Sequence, residues 1–156
     1  MDECKVPDVK ATVDLRNTLL VSVMRTDVCS VSMDATLGEA MTLCSDRRIR
    51  HLPVIDDEGR LAGLMTDRDL RSYVSPRIGT ISENNADRET LHRRVHRIMV
   101  RNVVTGSPVM TLAQAAKLML DKRVGCLPVV EEDQHLVGIV TLSDFLRLMA
   151  VGDQAG

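Results

Sequence analysis

A chain of 156 residues, 44% hydrophobic and 27% charged, can fill a core and is neither disordered nor low in complexity. Twenty Lys and Arg against 22 Asp and Glu leave a formal net charge of −2, which argues against a general polyanion binder. No apolar run approaches the roughly 18 residues of a membrane span, and the acidic start Met1-Asp2-Glu3-Cys4 lacks the apolar centre of a secretory signal.

Residues 1–14 read as a tail. An extended apolar segment follows at Val28 to Val31. Thr36-Leu37-Gly38-Glu39 then matches a capping box, in which the Thr hydroxyl and the Glu carboxylate satisfy backbone N–H groups at a helix start. Leu37, Ala40, Met41 and Cys44 give that helix an apolar stripe. Two short apolar runs come next, His51 to Ile55 and Leu61 to Met65, joined by the acidic spacer Asp56 to Arg60; they predict a hairpin with a five-residue loop. A second helix is expected from about Thr66, and Ser75-Pro76 ends it, because a residue before proline avoids the α region.

The connector, residues 75–97, carries Asn84-Asn85 as a helix cap and a stripe of Leu91, Val95 and Ile98. Arg88, Arg93, Arg94, Arg97 and Arg101 surround the stripe with His92 and His96, which predicts a basic helix. Such a face is either solvated or a docking surface for a partner or anion.

From residue 98 the pattern returns. Shifted by 75 positions, Met24–Leu70 and Met99–Phe145 align without a gap and are identical at 16 of 47 positions. Val103-Val104, the box Thr111-Leu112-Ala113-Gln114, the stripe Leu112, Ala115, Ala116 and Met119, the runs Cys126 to Val130 and Leu136 to Val140, and a helix from about Thr141 reproduce the first copy. The fold class is therefore α+β. It consists of two β-α-β-β-α repeats, residues 15–74 and 98–149, with a C-terminal tail at 150–156. A repeat of this size is marginal alone, so the two are expected to pack sheet to sheet about a pseudo-twofold axis as one compact module.

Tyr73 and Phe145 are the only aromatics, so the core is aliphatic, filled in part by the nine Met, and nucleic-acid binding by base stacking is disfavoured. Cys4, Cys29, Cys44 and Cys126 form no C-x-x-C pair and no metal-ligand cluster; they read as reduced thiols of a cytoplasmic protein. No nucleophile–base–acid set, glycine-rich phosphate loop or metal cluster points to an enzyme.

The paired strings Arg48-Ile49-Arg50-His51-Leu52-Pro53-Val54 with Gly63-Leu64-Met65-Thr66-Asp67-Arg68-Asp69, and Arg123-Val124-Gly125-Cys126-Leu127-Pro128-Val129 with Gly138-Ile139-Val140-Thr141-Leu142-Ser143-Asp144, resemble a tandem pair of CBS domains, also called a Bateman module. The resemblance covers roughly residues 15–149. It implies an adenosine-type ligand (AMP, ADP or ATP, or in some members S-adenosylmethionine or a cyclic dinucleotide) held in clefts between the halves. Carried onto this chain, Thr66 and Thr141 would touch a phosphate, and Asp69 and Asp144 would accept from ribose hydroxyls. Arg50 and His51 in one half, and Gly125 and Cys126 in the other, would meet base or phosphate beside Pro53 and Pro128.

Elementary physics points the same way. The first N–H groups of a helix lack internal partners and carry partial positive charge, which suits a phosphate; Arg50, His51 and Arg68 add cations. Thr-x-x-Asp is equally a plain helix-start pattern. The halves are unequal, since the second has Gly125, Cys126 and Ser143 where the first has Arg50, His51 and Arg68, so two sites of different affinity are expected. The leading function is a regulatory nucleotide-sensing module that needs no cofactor. It would signal through a homodimer, on apolar helix faces around Leu146, Leu148 and Met149, or through an effector protein. The rival is an interaction module whose clefts are vestigial.

Overall fold

The computed structural model describes residues 13–152; most of the N-terminal tail, residues 1–12, and the end of the C-terminal tail, residues 153–156, lie outside the described residues. The chain divides into two compact units. One is Cys29–Val103; the other joins the segment up to Val28 to the segment from Val104.

In the unit of residues 29–103, strand β1 (Val31–Ser32) runs parallel to β2 (His51–Ile55), which pairs antiparallel with β3 (Leu61–Thr66). Helix α1 (Leu37–Arg47) starts at the expected box: Thr36 Oγ1 accepts from Glu39 N–H at 3.2 Å, and Glu39 Oε2 accepts from Thr36 N–H at 2.7 Å. The hairpin loop is residues 56–60, as the acidic spacer predicts, and α2 (Asp67–Tyr73) follows β3 directly. Leu37, Ala40 and Cys44 of α1 pack with Leu52, Val54, Met65 and Leu70; burying such side chains is worth about 1.5–3 kcal/mol each.

The connector differs from the expected basic helix. Asn84 does cap a helix, α3 (Asn85–Glu89), and buried Asp87 ties it down by accepting from Ser75 Oγ at 2.6 Å; that bond holds the Asp87 carboxyl below the usual Asp value. Beyond it the chain makes two 3₁₀ turns, Thr90–His92 and Val95–Arg97, with Arg93 and Arg94 extended between them. The reason is tertiary. Arg93 O accepts from Leu37 N–H at 2.9 Å and Val95 N–H donates to Ala35 O at 2.9 Å, so this backbone serves the orphan groups at the start of α1 instead of a helix of its own. Val95 is thereby fully buried and Met99 nearly so.

The second unit repeats this plan. Helix α4 (Leu112–Lys122) is capped by Thr111 and Gln114. Strands β4 (Cys126–Val130) and β5 (Leu136–Thr141) pair antiparallel, and α5 (Leu142–Gly152) follows, so residues 150–152 are helical where a tail was expected. The first strand is curtailed. Extended pairing was expected at Val103-Val104; it occurs as a single parallel bridge from Gly106 to Val129. In the first repeat Met33 N–H donates to Ile55 O at 3.0 Å and prolongs β1. The matching residue is Pro108, which has no N–H to give.

Each repeat is completed by the segment that precedes the other one in sequence. Leu20, fully buried, joins Val23 and Met24 in the core with Leu112, Leu127, Val129 and Val140. Arg25 pairs with Ile139 on the edge of β5 through bonds of 3.1 and 3.0 Å, just as Val100 pairs with Leu64 on β3. The contiguous boundaries 15–74 and 98–149 therefore do not coincide with the compact units. Apolar spacing marks a segment as buried and does not say which sheet receives it, because burial is non-directional.

Gly63 and Gly138 allow these close approaches. A Cβ at Gly63 would lie 2.5 Å from Met99 Sδ and 3.0 Å from Val100 O; at Gly138 it would lie 2.9 Å from Met24 Cγ. Gly63→Ala is expected to destabilise the protein by about 1–3 kcal/mol, seen as a lower urea midpoint with an unchanged slope. An unaltered midpoint would mean that Met99 moves aside without cost.

Candidate functional site

The antiparallel ladders assemble the same arrangement in each repeat. His51 opposes Thr66, and Cys126 opposes Thr141, so the start of the hairpin and the start of the following helix lie side by side. A backbone bond locks the corner: Asp67 N–H donates to Arg50 O at 3.0 Å, and Leu142 N–H donates to Gly125 O at 3.1 Å. The sequence-predicted residues Arg50, His51, Thr66 and Asp69 are thus gathered in one unit, and Gly125, Cys126, Thr141 and Asp144 in the other.

The Thr66-x-x-Asp69 turn is a capping box, and in the second repeat Asp144 reaches back to Thr141 in the same way. Thr66 Oγ1 accepts from Asp69 N–H at 3.1 Å, while Asp69 Oδ2 accepts from Thr66 N–H at 3.0 Å and from its hydroxyl at 2.7 Å. Asp144 Oδ2 accepts from Thr141 N–H at 2.7 Å and from its hydroxyl at 2.8 Å. One carboxylate oxygen of each Asp is therefore committed to the helix start. The other oxygen, Oδ1, takes no part in these contacts, and that of Asp69 remains available to hydroxyl donors.

Arg50 and Arg68 are exposed and His51 is half-buried. Pro53 and Pro128 are buried in the middle of their strands, opposite Leu64 and Ile139, two positions in from the hairpin starts. Cys126 is buried, and burial pushes its thiol up to about 12 despite the pull of Arg25; Cys44 is pushed up to about 11 in the same way. Both thiols stay protonated at neutral pH and offer no thiolate nucleophile.

Arg25 is the residue that sequence reasoning missed. Its Nη2 lies 3.4 Å from Asp144 Oδ2, with side-chain exposures of 24% and 11%, and its Nε is buried without a hydrogen-bond partner among the described residues. Arg147 Nη1 stands 3.6 Å from Asp144 Oδ1. The pair spans 119 positions, and no local pattern signals it. In the first repeat the matching residue is Val100, and Asp69 has no ion pair among the described residues. The second repeat thus recovers a cation that its own Gly125 and Ser143 do not supply, and its acid is already partly neutralised.

Beside the start of α2 the first repeat also has a groove of about 530 Å³, lined by Arg48, Arg50, Asp67 and Arg71 with Met41 and Ile49. Arg71 is held by Asp67 at 3.0 Å. Arg48 closes α1 in the left-handed region at φ 51°, a position that usually favours glycine. Among the described residues no group of three or more His, Cys, Asp or Glu could hold a metal ion, and no helix is long and apolar enough to cross a membrane.

Comparison with known proteins agrees with this duplicated geometry. The family model of the CBS domain matches residues 20–76 and again 95–151. A CBS domain-containing protein of Dictyostelium discoideum is 37% identical over 132 residues, covering 84% of this chain and 90% of that protein. Among solved structures, the CBS domain pair of protein MJ0100 in complex with 5-methylthioadenosine and S-adenosyl-L-methionine is 25% identical with a TM-score of 0.70, covering 85% of this chain and 96% of that one. The cytosolic domain of the Mg²⁺ channel MgtE in complex with ATP is 28% identical with a TM-score of 0.65; it matches over 81% of this chain and 47% of its own length. Two copies of one hairpin-and-helix corner, each matched in full, place the chain in the CBS domain family as a tandem pair.

Proposed function

We propose that the protein is a non-catalytic regulatory module of the cytoplasm that binds an adenine nucleotide at the starts of α2 and α5 and passes the occupancy to its own dimer or to an effector protein. AMP, ADP and ATP are the leading ligands, with S-adenosylmethionine and cyclic dinucleotides as the wider class. The observation that carries the reading is the repeated corner. In both repeats a helix start with a Thr hydroxyl and an Asp whose Oδ1 takes no part in closing the helix start sits against the first residues of a hairpin. The helix start suits phosphate and the acid suits a ribose diol. Adenosine-type ligands in the MJ0100 and MgtE structures support this class.

Thermal unfolding with AMP, ADP, ATP, NAD, S-adenosylmethionine and cyclic dinucleotides tests it. A true ligand at 100 times its Kd stabilises by about 2.7 kcal/mol. A second reading has one observation in its favour: the hydrogen bonds that close the two helix starts account for Thr66, Asp69, Thr141 and Asp144 without any ligand. No stabilisation by any member of the panel, with self-association intact, would establish that the module serves interaction alone.

A further inference from the structure

The two hairpin-and-helix corners differ in charge, and Arg25 makes most of the difference. Its backbone pairs with Ile139, two positions before Thr141, through bonds of 3.1 and 3.0 Å. The side chain reaches the start of α5. There Nη2 stands 3.4 Å from Asp144 Oδ2, and the guanidinium also acts on the Cys126 thiol at the start of the hairpin. Arg147 Nη1 faces the other oxygen, Asp144 Oδ1, at 3.6 Å. Two cations therefore surround one acid, and the second corner carries an excess of positive charge. In the first repeat the matching residue is Val100, and Asp69 has no ion pair among the described residues. The cations of that corner, Arg50 and Arg68, are exposed, so water and salt screen them.

The hydrogen bonding of Arg25 is incomplete. A guanidinium offers five N–H donors in a fixed fork. Its 3.4 Å contact with Asp144 is longer than the roughly 2.7–2.9 Å of a good charge-assisted bond. Its Nε is buried with no hydrogen-bond partner among the described residues. A buried donor without an acceptor is costly, so Arg25 holds Asp144 weakly and stands to gain from a better acceptor. An oxyanion at the start of α5 is such an acceptor. A neutral group gains nothing from the charge, and a cation is repelled by it.

We propose that Arg25 determines the specificity of the second corner as a charge filter, pairing with the phosphate of an adenosine ligand and disfavouring neutral or sulfonium analogues. The inference rests on the nucleotide reading above and narrows it. The second repeat takes adenosine phosphates, whereas the first, which has no part-buried arginine beside Asp69, discriminates less by charge. When a phosphate binds, Arg25 exchanges its long contact with Asp144 for the ligand.

Calorimetry on the full chain with AMP, adenosine and S-adenosylmethionine tests it. These share a base and a ribose diol and differ in being anionic, neutral and cationic. An Asp69→Ala background weakens the first corner, so the second is read. There Arg25→Val should weaken AMP about 10- to 100-fold and leave adenosine within about threefold, while Arg25→Lys, which keeps the charge, should retain most of the preference. A purely structural role would lower AMP and adenosine together. The converse variant, Val100→Arg, changes a residue that is 52% exposed. In an Asp144→Ala background it should raise the AMP-to-adenosine preference of the first corner about tenfold. An unchanged preference in Arg25→Val, equal losses of AMP and adenosine, or no gain in Val100→Arg would each overturn the filter and leave the nucleotide reading standing. A wild type that binds none of the three would overturn both.

Discussion

Asp69→Ala should weaken nucleotide binding at the first repeat about 10- to 100-fold, and Asp144→Ala should cost the second repeat much less. Each Asp uses Oδ2 to close its helix start, leaving Oδ1 for a ribose hydroxyl. A hydrogen bond to a charged acceptor contributes about 1.5–3 kcal/mol, so its loss weakens binding about 10- to 100-fold. In the second repeat the contest is harder for a ligand, because Asp144 Oδ2 is shared with Arg25 and Oδ1 faces Arg147. Calorimetry on the two variants reads the difference directly. Asp69→Asn separates ligand loss from helix loss: the amide oxygen can still accept at the cap, but the charge is gone. Two equal and independent sites in the wild type would contradict the ranking, and equal losses in the two variants would do the same.

Arg25→Val should destabilise the fold by about 1–3 kcal/mol, because it leaves a carboxylate that is only 11% exposed without its nearest cation. Valine is the informative replacement, since Val100 occupies the matching place in the first repeat and the backbone pairing with Ile139 is retained. The loss of Arg25 Nε, a buried donor with no described partner, offsets part of the cost. A double-mutant cycle with Asp144→Asn in urea unfolding isolates the pair, and a coupling of about 1–2 kcal/mol is expected. Additive single and double variants would show that Arg25 acts by packing alone.

These two predictions differ in how far the sequence reaches. Asp69 and Asp144 were legible because a capping box closes over three residues and both halves of its chemistry lie in one short string. The hairpin limits were legible for the same reason: residues 56–60 and 131–135 interrupt apolar runs of matched length. Pro108 stands where the first repeat has Met33, and its effect on the strand shows only through the partner carbonyl that Met33 reaches there. Arg25 was not legible at all. Leu91, Val95 and Ile98 fit a helical stripe, yet the connector forms 3₁₀ turns, because the extended residues between the turns are set by the start of α1.

From sequence alone follow the duplication, the order of strands and helices, the caps and the residues that gather at each hairpin-and-helix corner. These rest on hydrogen bonds between near neighbours, which have direction and a fixed reach. Tertiary structure alone decided which core receives Leu20 and which receives Val95, and that a cation from one end of the chain would meet an acid near the other. Apolar burial carries no address, so many pairings of such segments suit the same pattern until sheet edges, glycine clearances and a few charges select one.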